Sequence, residues 1–289
     1  LQMAEVLRGK GDQAGALPLM AEAVSLREAI LQAAPDDFDT LRDTTIAQNQ
    51  YVAALMETGD YATAVPVGQA SVAVVERMLA QRPNDKETLR DKLVASNRLG
   101  DALKGAGDLE GALAAFQAMG AAGYALVSAD PYDTGLAVDY TLALERMGDT
   151  YIALQNYPAA RNELTNAVSM RQWLAGQKPG SLPDQRALAF ALQKLADTYY
   201  FEKNLDQGRP VEEQALGILR WVLQQDQNDA WNVIDLVTAL DRTASYYDDR
   251  STHYREALTL LEQLQAEGRL PSDSYLEWMT NYRNALGIQ

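Results

Sequence analysis

The sequence predicts an all-α solenoid of antiparallel helix pairs, because two unrelated markers recur along the chain with the same spacing of 48 residues. The first marker is an acidic or amide residue with a small residue four positions later. Its copies are Asp12 with Ala16, Asp60 with Ala64, Asp108 with Ala112, Asn156 with Ala160, and Asn204 with Gly208. The second marker is a proline, which recurs as Pro35, Pro83, Pro131 and Pro179, with Gln227 at the next position. Self-similarity at a fixed period is typical of arrays in which each unit packs on its neighbours.

The composition agrees with closely packed helices and excludes several kinds of chemistry. Hydrophobic residues make up 47% of the 289 positions, aromatic residues make up only 8%, and cysteine is absent. The absence of thiols excludes cysteine nucleophiles, disulfides and cysteine-ligated metals. The 40 acids and 25 bases give a formal net charge of -15. This charge disfavours a nucleic-acid partner and favours a basic peptide or protein surface, unless the surplus acid serves only solubility.

No apolar run approaches a membrane span and no signal peptide is visible, so we expect a cytoplasmic protein that does not insert into membranes. Residues 1–36 have the pattern of a repeat that lacks the start of its first helix, and the chain does not begin with Met. We therefore expect further sequence upstream of Leu1 in the intact protein. An array that began within a helix would expose the apolar side of its next repeat.

Residues 37–84 have the pattern of the first complete repeat. Asp37 is the expected N-cap of its first helix, and Gly59 with Asp60 marks the turn to its second helix. The second helix carries an apolar stripe and ends at the corner around Pro83. Each repeat is therefore predicted to be an αα-hairpin.

Four further repeats follow, at residues 85–132, 133–180, 181–228 and 229–272. Their alignment predicts hairpin turns near residues 59, 107, 155, 203 and 251, although the sixth repeat has one extra residue before its turn. Residues 273–289 are predicted to form a C-terminal capping helix, with Gly287 as its natural stop.

The third repeat carries Leu99, Gly100 and Leu103, followed by Ala112 and Phe116. This spacing resembles the L-G-x-x-Y and A-x-x-x-F pattern of the tetratricopeptide repeat (TPR) family. The fourth repeat offers the corresponding residues Met147, Gly148, Tyr151, Ala160 and Leu164. The family's usual unit is about 34 residues, so each helix here is about seven residues longer. Seven residues are close to two helical turns, so the buried stripe keeps its direction.

The resemblance implies a right-handed superhelix whose first helices line a concave groove that binds proteins or peptides. Long repeats of this kind are similar to those of multidomain bacterial signalling proteins. Family members that clamp a peptide's C-terminal carboxylate use Lys and Asn in the groove, whereas this chain has mostly Asp at one of those positions. The resemblance to binders of chaperone tails is therefore poor.

The residues that could carry chemistry do not converge in the sequence. The single histidine, His253, stands at a turn position where other repeats have Asp or Asn, which indicates a turn or capping role. The glycines fall at repeat turns and helix crossings rather than in a nucleotide-binding loop. We therefore predict no cofactor, no metal site and no enzymatic activity. The enzymatic alternative is an acidic α/α hydrolase that uses Glu145 and Asp149, and it is disfavoured because such acids recur with the repeat.

One face of the predicted first helices carries a ladder of polar residues. The candidate binding residues are Asn49, Asn97, Asp101, Lys104, Glu145, Asp149, Gln193, Asp197, Tyr200 and Asp241. The aspartates of this ladder predict an electronegative groove that binds a segment carrying Lys or Arg. In the competing structural interpretation, each aspartate pairs with the base three residues earlier: Arg98 with Asp101, Arg146 with Asp149, and Lys194 with Asp197. Such pairs stabilise a helix by only about 0.2 to 0.5 kcal/mol, so both interpretations stay open.

These features favour a protein- or peptide-binding scaffold that forms one module of a larger protein. The alternative is a regulatory sensor domain that binds a small molecule or peptide and controls an attached catalytic domain. The oligomeric state does not follow from the sequence.

Overall fold

The structure, a computed structural model, describes residues 1–288. These residues form thirteen helices and no strand, so the predicted all-α fold of consecutive helix pairs with a terminal helix is confirmed. The helices are α1 (Gln2–Gly9), α2 (Gln13–Ala33), α3 (Phe38–Glu57), α4 (Tyr61–Gln81), α5 (Lys86–Gly105), α6 (Leu109–Ala129), α7 (Thr134–Ala153), α8 (Tyr157–Gln177), α9 (Leu182–Phe201), α10 (Leu205–Gln225), α11 (Ala230–Ala244), α12 (Ser251–Ala266) and α13 (Ser274–Leu286).

The helices fall into two compact units, Leu1–Leu154 and Gln155–Gln289. In the first unit each helix from α1 to α6 packs on the next one along the chain, and α3 also lies against α5. In the second unit each helix from α8 to α13 likewise packs on its sequence neighbour. We call α1, α3, α5, α7, α9 and α11 the first helices, and α2, α4, α6, α8, α10 and α12 the second helices.

Local sequence explains where these helices begin and turn. Asp37 and Asp85 each accept a hydrogen bond at 2.9 Å, from the backbone N–H groups of Thr40 and Thr88. The hairpin turns place one residue in the left-handed region: Gly59 (φ 76), Gly107 (φ 86), Gln155 (φ 59) and Lys203 (φ 60). Glycine adopts this conformation without steric cost, whereas the two larger side chains are strained by about 1 to 2 kcal/mol each.

The sixth repeat departs from the predicted register. The turn predicted near residue 251 is wrong, because α11 ends at Ala244 and Ser251 already begins α12. Helix α11 has 15 residues, whereas α3, α5, α7 and α9 have 20 each. Just beyond its end the buried Tyr246 donates a hydrogen bond from its hydroxyl to the backbone oxygen of Ala196 at 2.9 Å. Helix α11 thus ends close to the point at which Tyr246 is anchored on α9.

Helix α6 departs from the expectation that no apolar run approaches a membrane span. Among the described helices it alone has the length and the apolar composition to cross a membrane. The core helix of a helical array passes the same test, and α6 packs on both α5 and α7. Its Phe116 and Met119 side chains are fully buried there. Length and composition alone therefore do not assign α6 to a membrane.

The paired helices α5 and α6 approach closely where a glycine faces an aromatic ring. A Cβ atom on Gly100 would lie 2.4 Å from the ring of the fully buried Phe116. No side chain fits at that position unless the ring or the helices move. Gly148, one repeat later, is also buried, and its role at a close crossing stays a prediction.

We expect Gly100→Leu to lower the free energy of unfolding by about 1 to 3 kcal/mol, because the added side chain overpacks the crossing of α5 and α6. Urea denaturation followed by circular dichroism measures this change. Gly217→Ala is the control, since a Cβ on Gly217 meets nothing within 4 Å. This control should stabilise α10 by about 0.5 to 1 kcal/mol. Equal stability of Gly100→Leu and the wild type would contradict the assigned crossing.

Candidate binding clefts on the first helices

A cleft of about 320 Å³ opens on the first helices of the first unit, where α1, α3 and α5 adjoin. It is lined by Glu5, Arg8, Ile46, Asn49, Gln50, Ala53, Asp91, Val94 and Arg98. Ile46 and Val94 occupy the same register position one repeat apart, and they are 43% and 44% exposed. The cleft therefore shows two aliphatic side chains to solvent between polar neighbours.

In the second unit a cleft of about 240 Å³ opens between α9 and the end of α11. It is lined by Asp197, Tyr200, Phe201, Asp241, Arg242, Ser245 and Tyr246. Five of these residues fall on register positions that also line the cleft of the first unit: Asp197 and Ser245 with Ala53, Tyr200 with Arg8, Asp241 with Asn49, and Arg242 with Gln50. The same face of the first helices thus opens a cleft within each unit.

The ten predicted binding residues all lie on first helices, but the structure does not bring them into one set. Only Asn49, Asp197, Tyr200 and Asp241 line the two clefts. Gln193 is buried. The other five, which are half-buried on α5 and α7 outside these linings, are Asn97, Asp101, Lys104, Glu145 and Asp149.

Several cleft residues escaped the sequence analysis because it searched the first helices for polar side chains. Four of the missed residues are apolar or aromatic, namely Ile46, Val94, Phe201 and Tyr246, and polar residues such as Gln50, Asp91 and Arg242 were missed as well. An aliphatic residue that recurs at one register position beside the polar ladder was the available signal for two of them.

Two amide side chains of the predicted ladder form hydrogen bonds with residues on the second helices. The Oδ1 atom of Asn49 accepts a hydrogen bond from the hydroxyl of Ser71 on α4 at 2.9 Å. The amide nitrogen of Gln193 donates to Glu212 on α10 at 3.4 Å. Within residues 1–288 the Oδ1 atom of Asn97 is buried and has no hydrogen-bond partner. These amides therefore contribute to packing between helices as well as to the exposed face.

The aspartates bridge neighbouring first helices. Asp101 on α5 accepts a hydrogen bond from Arg146 on α7 at 3.2 Å, in place of the predicted partner Arg98. Asp197 on α9 accepts one from Arg242 on α11 at 2.7 Å. Burial raises the pKa of Asp101, and the guanidinium of Arg146 opposes that shift. The array's own arginines thus neutralise carboxylates that we expected to face a ligand.

A second set of arginine bridges lies nearer the start of the first helices. It joins Arg42 to Asp91 at 3.0 Å and Arg186 to Asp235 at 2.5 Å. Burial raises the pKa of Asp91, and Arg42 opposes that shift. The Arg-Asp dipeptide at residue 42 recurs at residue 90. The repeat alone, however, does not show which neighbouring helix supplies the ionic partner of each side chain. The sequence analysis therefore missed these bridges.

A fully buried carboxylate adjoins the cleft of the second unit. Glu212 on α10 accepts a hydrogen bond from Nε of Arg242 at 3.1 Å. The Nη2 atom of Arg242 donates to Asp197 at 2.7 Å and to the backbone oxygen of Gln193 at 2.9 Å. Burial raises the pKa of Glu212, and Arg242 opposes that shift. One guanidinium therefore ties α9, α10 and α11 together through two carboxylates.

The single histidine does not form a site. His253 lies inside α12, so the predicted turn or capping role is wrong. Its ring lies 5.1 Å from that of Tyr247, and burial lowers its pKa. The described part of the chain contains no group of three or more His, Cys, Asp or Glu residues that could hold a metal ion.

The second unit has a further cleft of about 340 Å³ between α10, α11 and α12. Arg220 and Glu256 in its lining are joined by two hydrogen bonds of 3.2 and 2.6 Å. Because the sequence analysis considered only the first helices, it did not anticipate this cleft.

No protein-family model matches the chain, and no curated protein matches it. Solved structures resemble it closely enough to define its class, an array of antiparallel helix pairs. BtubC (BKLC) from P. vanneervenii superimposes with a TM-score of 0.60 at 14% identity, covering 88% of this chain and 90% of that chain. A single-residue variant of a Podosopora anserina putative kinesin light chain with nearly identical TPR-like repeats gives 0.54 at 16% identity, with coverages of 76% and 92%.

The apo form of RapI gives a TM-score of 0.52 at 11% identity, with 99% of this chain and 96% of that chain covered. At these identities the likeness concerns the fold alone. More particularly, the fold is TPR-like, as the residue pattern of the third and fourth repeats predicted.

We expect Arg242→Met to lower the free energy of unfolding by about 3 to 5 kcal/mol, because it leaves the buried Glu212 without its base. Chemical denaturation measures the change. The control is Arg220→Met, whose bridge to Glu256 is exposed and should contribute about 1 kcal/mol or less. Similar losses in the two variants would show that the cluster around Glu212 is no more stabilising than a surface pair.

Lowering the pH should reduce the loss of unfolding free energy that Arg242→Met causes. Burial raises the pKa of Glu212, and Arg242 opposes that shift, so removal of Arg242 raises this pKa further. A carboxyl group whose pKa is raised in the folded state stabilises that state at low pH, and this stabilisation is lost as the pH rises through the folded pKa. The difference in unfolding free energy from the wild type should therefore shrink as the pH is lowered from neutral toward the ordinary pKa of a glutamate. A loss of unfolding free energy that does not change with pH would mean that the charge of Glu212, left without Arg242, does not cause it.

Proposed function

We propose that the chain is a protein-binding scaffold that takes a peptide segment on the cleft face of its first helices. The observation that carries this proposal is the exposure of Ile46 and Val94 in one cleft. Single exposed apolar residues are ordinary, but two that recur at one register position within a concavity are typical of a binding surface. Polar side chains beside them, such as Asn49, would orient a peptide backbone.

The TPR-like fold supports this proposal because stacked helical repeats present long surfaces built from equivalent positions. Each repeat contributes the same few positions to the exposed face, so a segment bound there meets a series of similar subsites. Enzymatic activity is not part of the proposal.

The chemistry of the partner follows from the charges that remain available on this face. The net charge of -15 favours a basic segment, since complementary charge raises association rates and selectivity. In the first unit, however, Asp91 and Asp101 are each held by an arginine of a neighbouring helix. We therefore propose that apolar contact dominates in the first unit and that the preference for a base belongs to the second.

Replacement of Asp101, Asp149 and Asp197 by Asn, which the sequence suggests as a test of an acidic groove, is unsuitable. It would remove the carboxylates that hold Arg146 and Arg242 between first helices. A loss of binding would then report the packing of the array rather than recognition.

The better test changes the exposed aliphatic pair. Peptides selected on the wild-type chain from a random display library should bind the double variant Ile46→Asp/Val94→Asp at least about tenfold more weakly, because each charge replaces an apolar contact. Fluorescence anisotropy measures the affinities.

Leu26→Asp is the matched control, since Leu26 is also an exposed aliphatic residue on a helix but lies on α2, outside the clefts. It introduces the same charge and should leave peptide affinity unchanged. A selection that yields no peptide, or peptides that bind the double variant as well as the wild type, would contradict the proposed function.

A further inference from the structure

The cleft of the second unit is walled by aromatic rings. Tyr200 and Phe201 are 39% and 48% exposed, and their ring centroids lie 5.9 Å apart in an edge-on arrangement. Tyr246 meets Tyr200 edge-on at 5.6 Å, and Phe201 stacks on Tyr157 at 5.8 Å. Since each exposed ring is held by another ring, the aromatic surfaces that face solvent are fixed in place.

The packing of the Tyr246 ring on Gly208 is a feature of the fifth repeat that the earlier repeats do not share. A Cβ atom on Gly208 would lie 2.7 Å from the ring of Tyr246, so the ring needs a glycine beneath it. The same register position is alanine in the other repeats: Ala16, Ala64, Ala112 and Ala160. The fifth repeat thus lacks a methyl group that the others bury, and the tyrosine ring takes its place.

The exposed aromatic pair is also specific to this place. The residues at the register positions of Tyr200 and Phe201 in earlier repeats are Met56 with Glu57, Lys104 with Gly105, and Ile152 with Ala153. None of these pairs is aromatic. The aromatic wall is therefore a local feature of the second unit and not a product of the repeat pattern.

The cleft also holds a carboxylate that no arginine bridges. Asp197 is bound by Arg242, but in the described part of the chain Asp241 has no ion pair within 4 Å. Its neighbour is the buried Tyr282, whose pKa is raised by burial and then by the Asp241 carboxylate. The hydroxyl of Tyr282 makes no hydrogen bond of normal geometry. Within residues 1–288, therefore, no base lies within 4 Å of Asp241 to neutralise its charge.

A base of the chain itself, Arg250, lies near this rim. It is exposed and follows α11, and its pKa is raised by Tyr254 first and also by Tyr200 and Asp241. Within residues 1–288, Arg250 and Asp241 do not form an ion pair with each other at a distance of 4 Å or less. A base thus lies near the cleft without filling it.

We propose that this cleft binds the guanidinium group of an arginine in a bound peptide, an inference that rests on the peptide-binding function proposed above. A guanidinium is planar, stacks on aromatic faces and pairs with carboxylates, whereas an ammonium group lacks the planar surface. Tyr200 and Phe201 supply the aromatic faces and Asp241 supplies the carboxylate. Arg250 competes weakly for the same groups.

The test uses the full chain and two small probes, N-acetylarginine methylamide and its neutral isostere N-acetylcitrulline methylamide. NMR titration of the tyrosine ring resonances measures both affinities. The arginine probe should bind about tenfold more tightly than the citrulline probe, because only arginine makes a charge-assisted pair with Asp241. Equal affinities would overturn the proposal.

Variants of the chain locate the site. Asp241→Asn and Tyr200→Leu should each weaken the arginine probe by about tenfold, through loss of the charge and of the stacking surface. Arg250→Ala should strengthen it by removing the competing base. Glu256→Gln is the control, because Glu256 is a carboxylate on α12 outside the cleft. Unchanged affinity in Asp241→Asn, with a wild-type circular dichroism spectrum and melting temperature, would overturn the proposal.

The experiments distinguish a failure of the proposed arginine site from a failure of the proposed peptide-binding function. If display-selected peptides bind but neither Asp241→Asn nor Tyr200→Leu affects the arginine probe, the arginine site is wrong and the peptide-binding function stands. If the arginine probe binds and responds to these variants while no peptide is selected, the cleft is confirmed as a guanidinium site and the peptide-binding function is wrong.

Discussion

Close approach between helices at small side chains is the constraint on which the rest of the structure depends. Ala16, Ala64, Ala112 and Ala160 share one register position and are all fully buried. Gly100 leaves room for the ring of Phe116 in the same way. A larger side chain at such a crossing would separate the helices and shift every contact further along the pair, because packed interiors have little free space. The 48-residue period is therefore a period of packing as well as of sequence.

The arginine bridges explain how an acidic chain stacks its first helices side by side. Carboxylates placed on adjacent helices would repel each other, and partly buried carboxylates are costly without a partner. Arg146 and Arg242 meet both needs by reaching Asp101 and Asp197 across the gap between helices. As a consequence, the acidity of the composition does not translate directly into an acidic binding surface. The charge open to a partner belongs to carboxylates outside these bridges, such as Asp241.

The departures from the repeat pattern concentrate in one region of the second unit. Helix α11 is short, Tyr246 is anchored just beyond it, and Gly208 replaces the alanine of the other repeats. Departures from local sequence rules are expected at functional sites, where recognition competes with regular packing. Tyr200 and Phe201 have no aromatic counterpart at their register positions in the earlier repeats, which is why we place specific recognition at this point of the array.

The sequence by itself determined the helix pairs and the first four hairpin turns, because capping residues, turn residues and apolar spacing act over a few positions. It also placed Asn49, Asp197, Tyr200 and Asp241 on first helices, where they line the two clefts. Tertiary structure alone decided the end of α11, since Tyr246 finds its space beside Gly208 on another helix. It alone decided the ion pairs as well, because Asp101 has Arg98 as a plausible local partner and meets Arg146 only when the helices stack. Spacing along one helix predicts which residues share a face, but burial and pairing depend on which other helix covers that face.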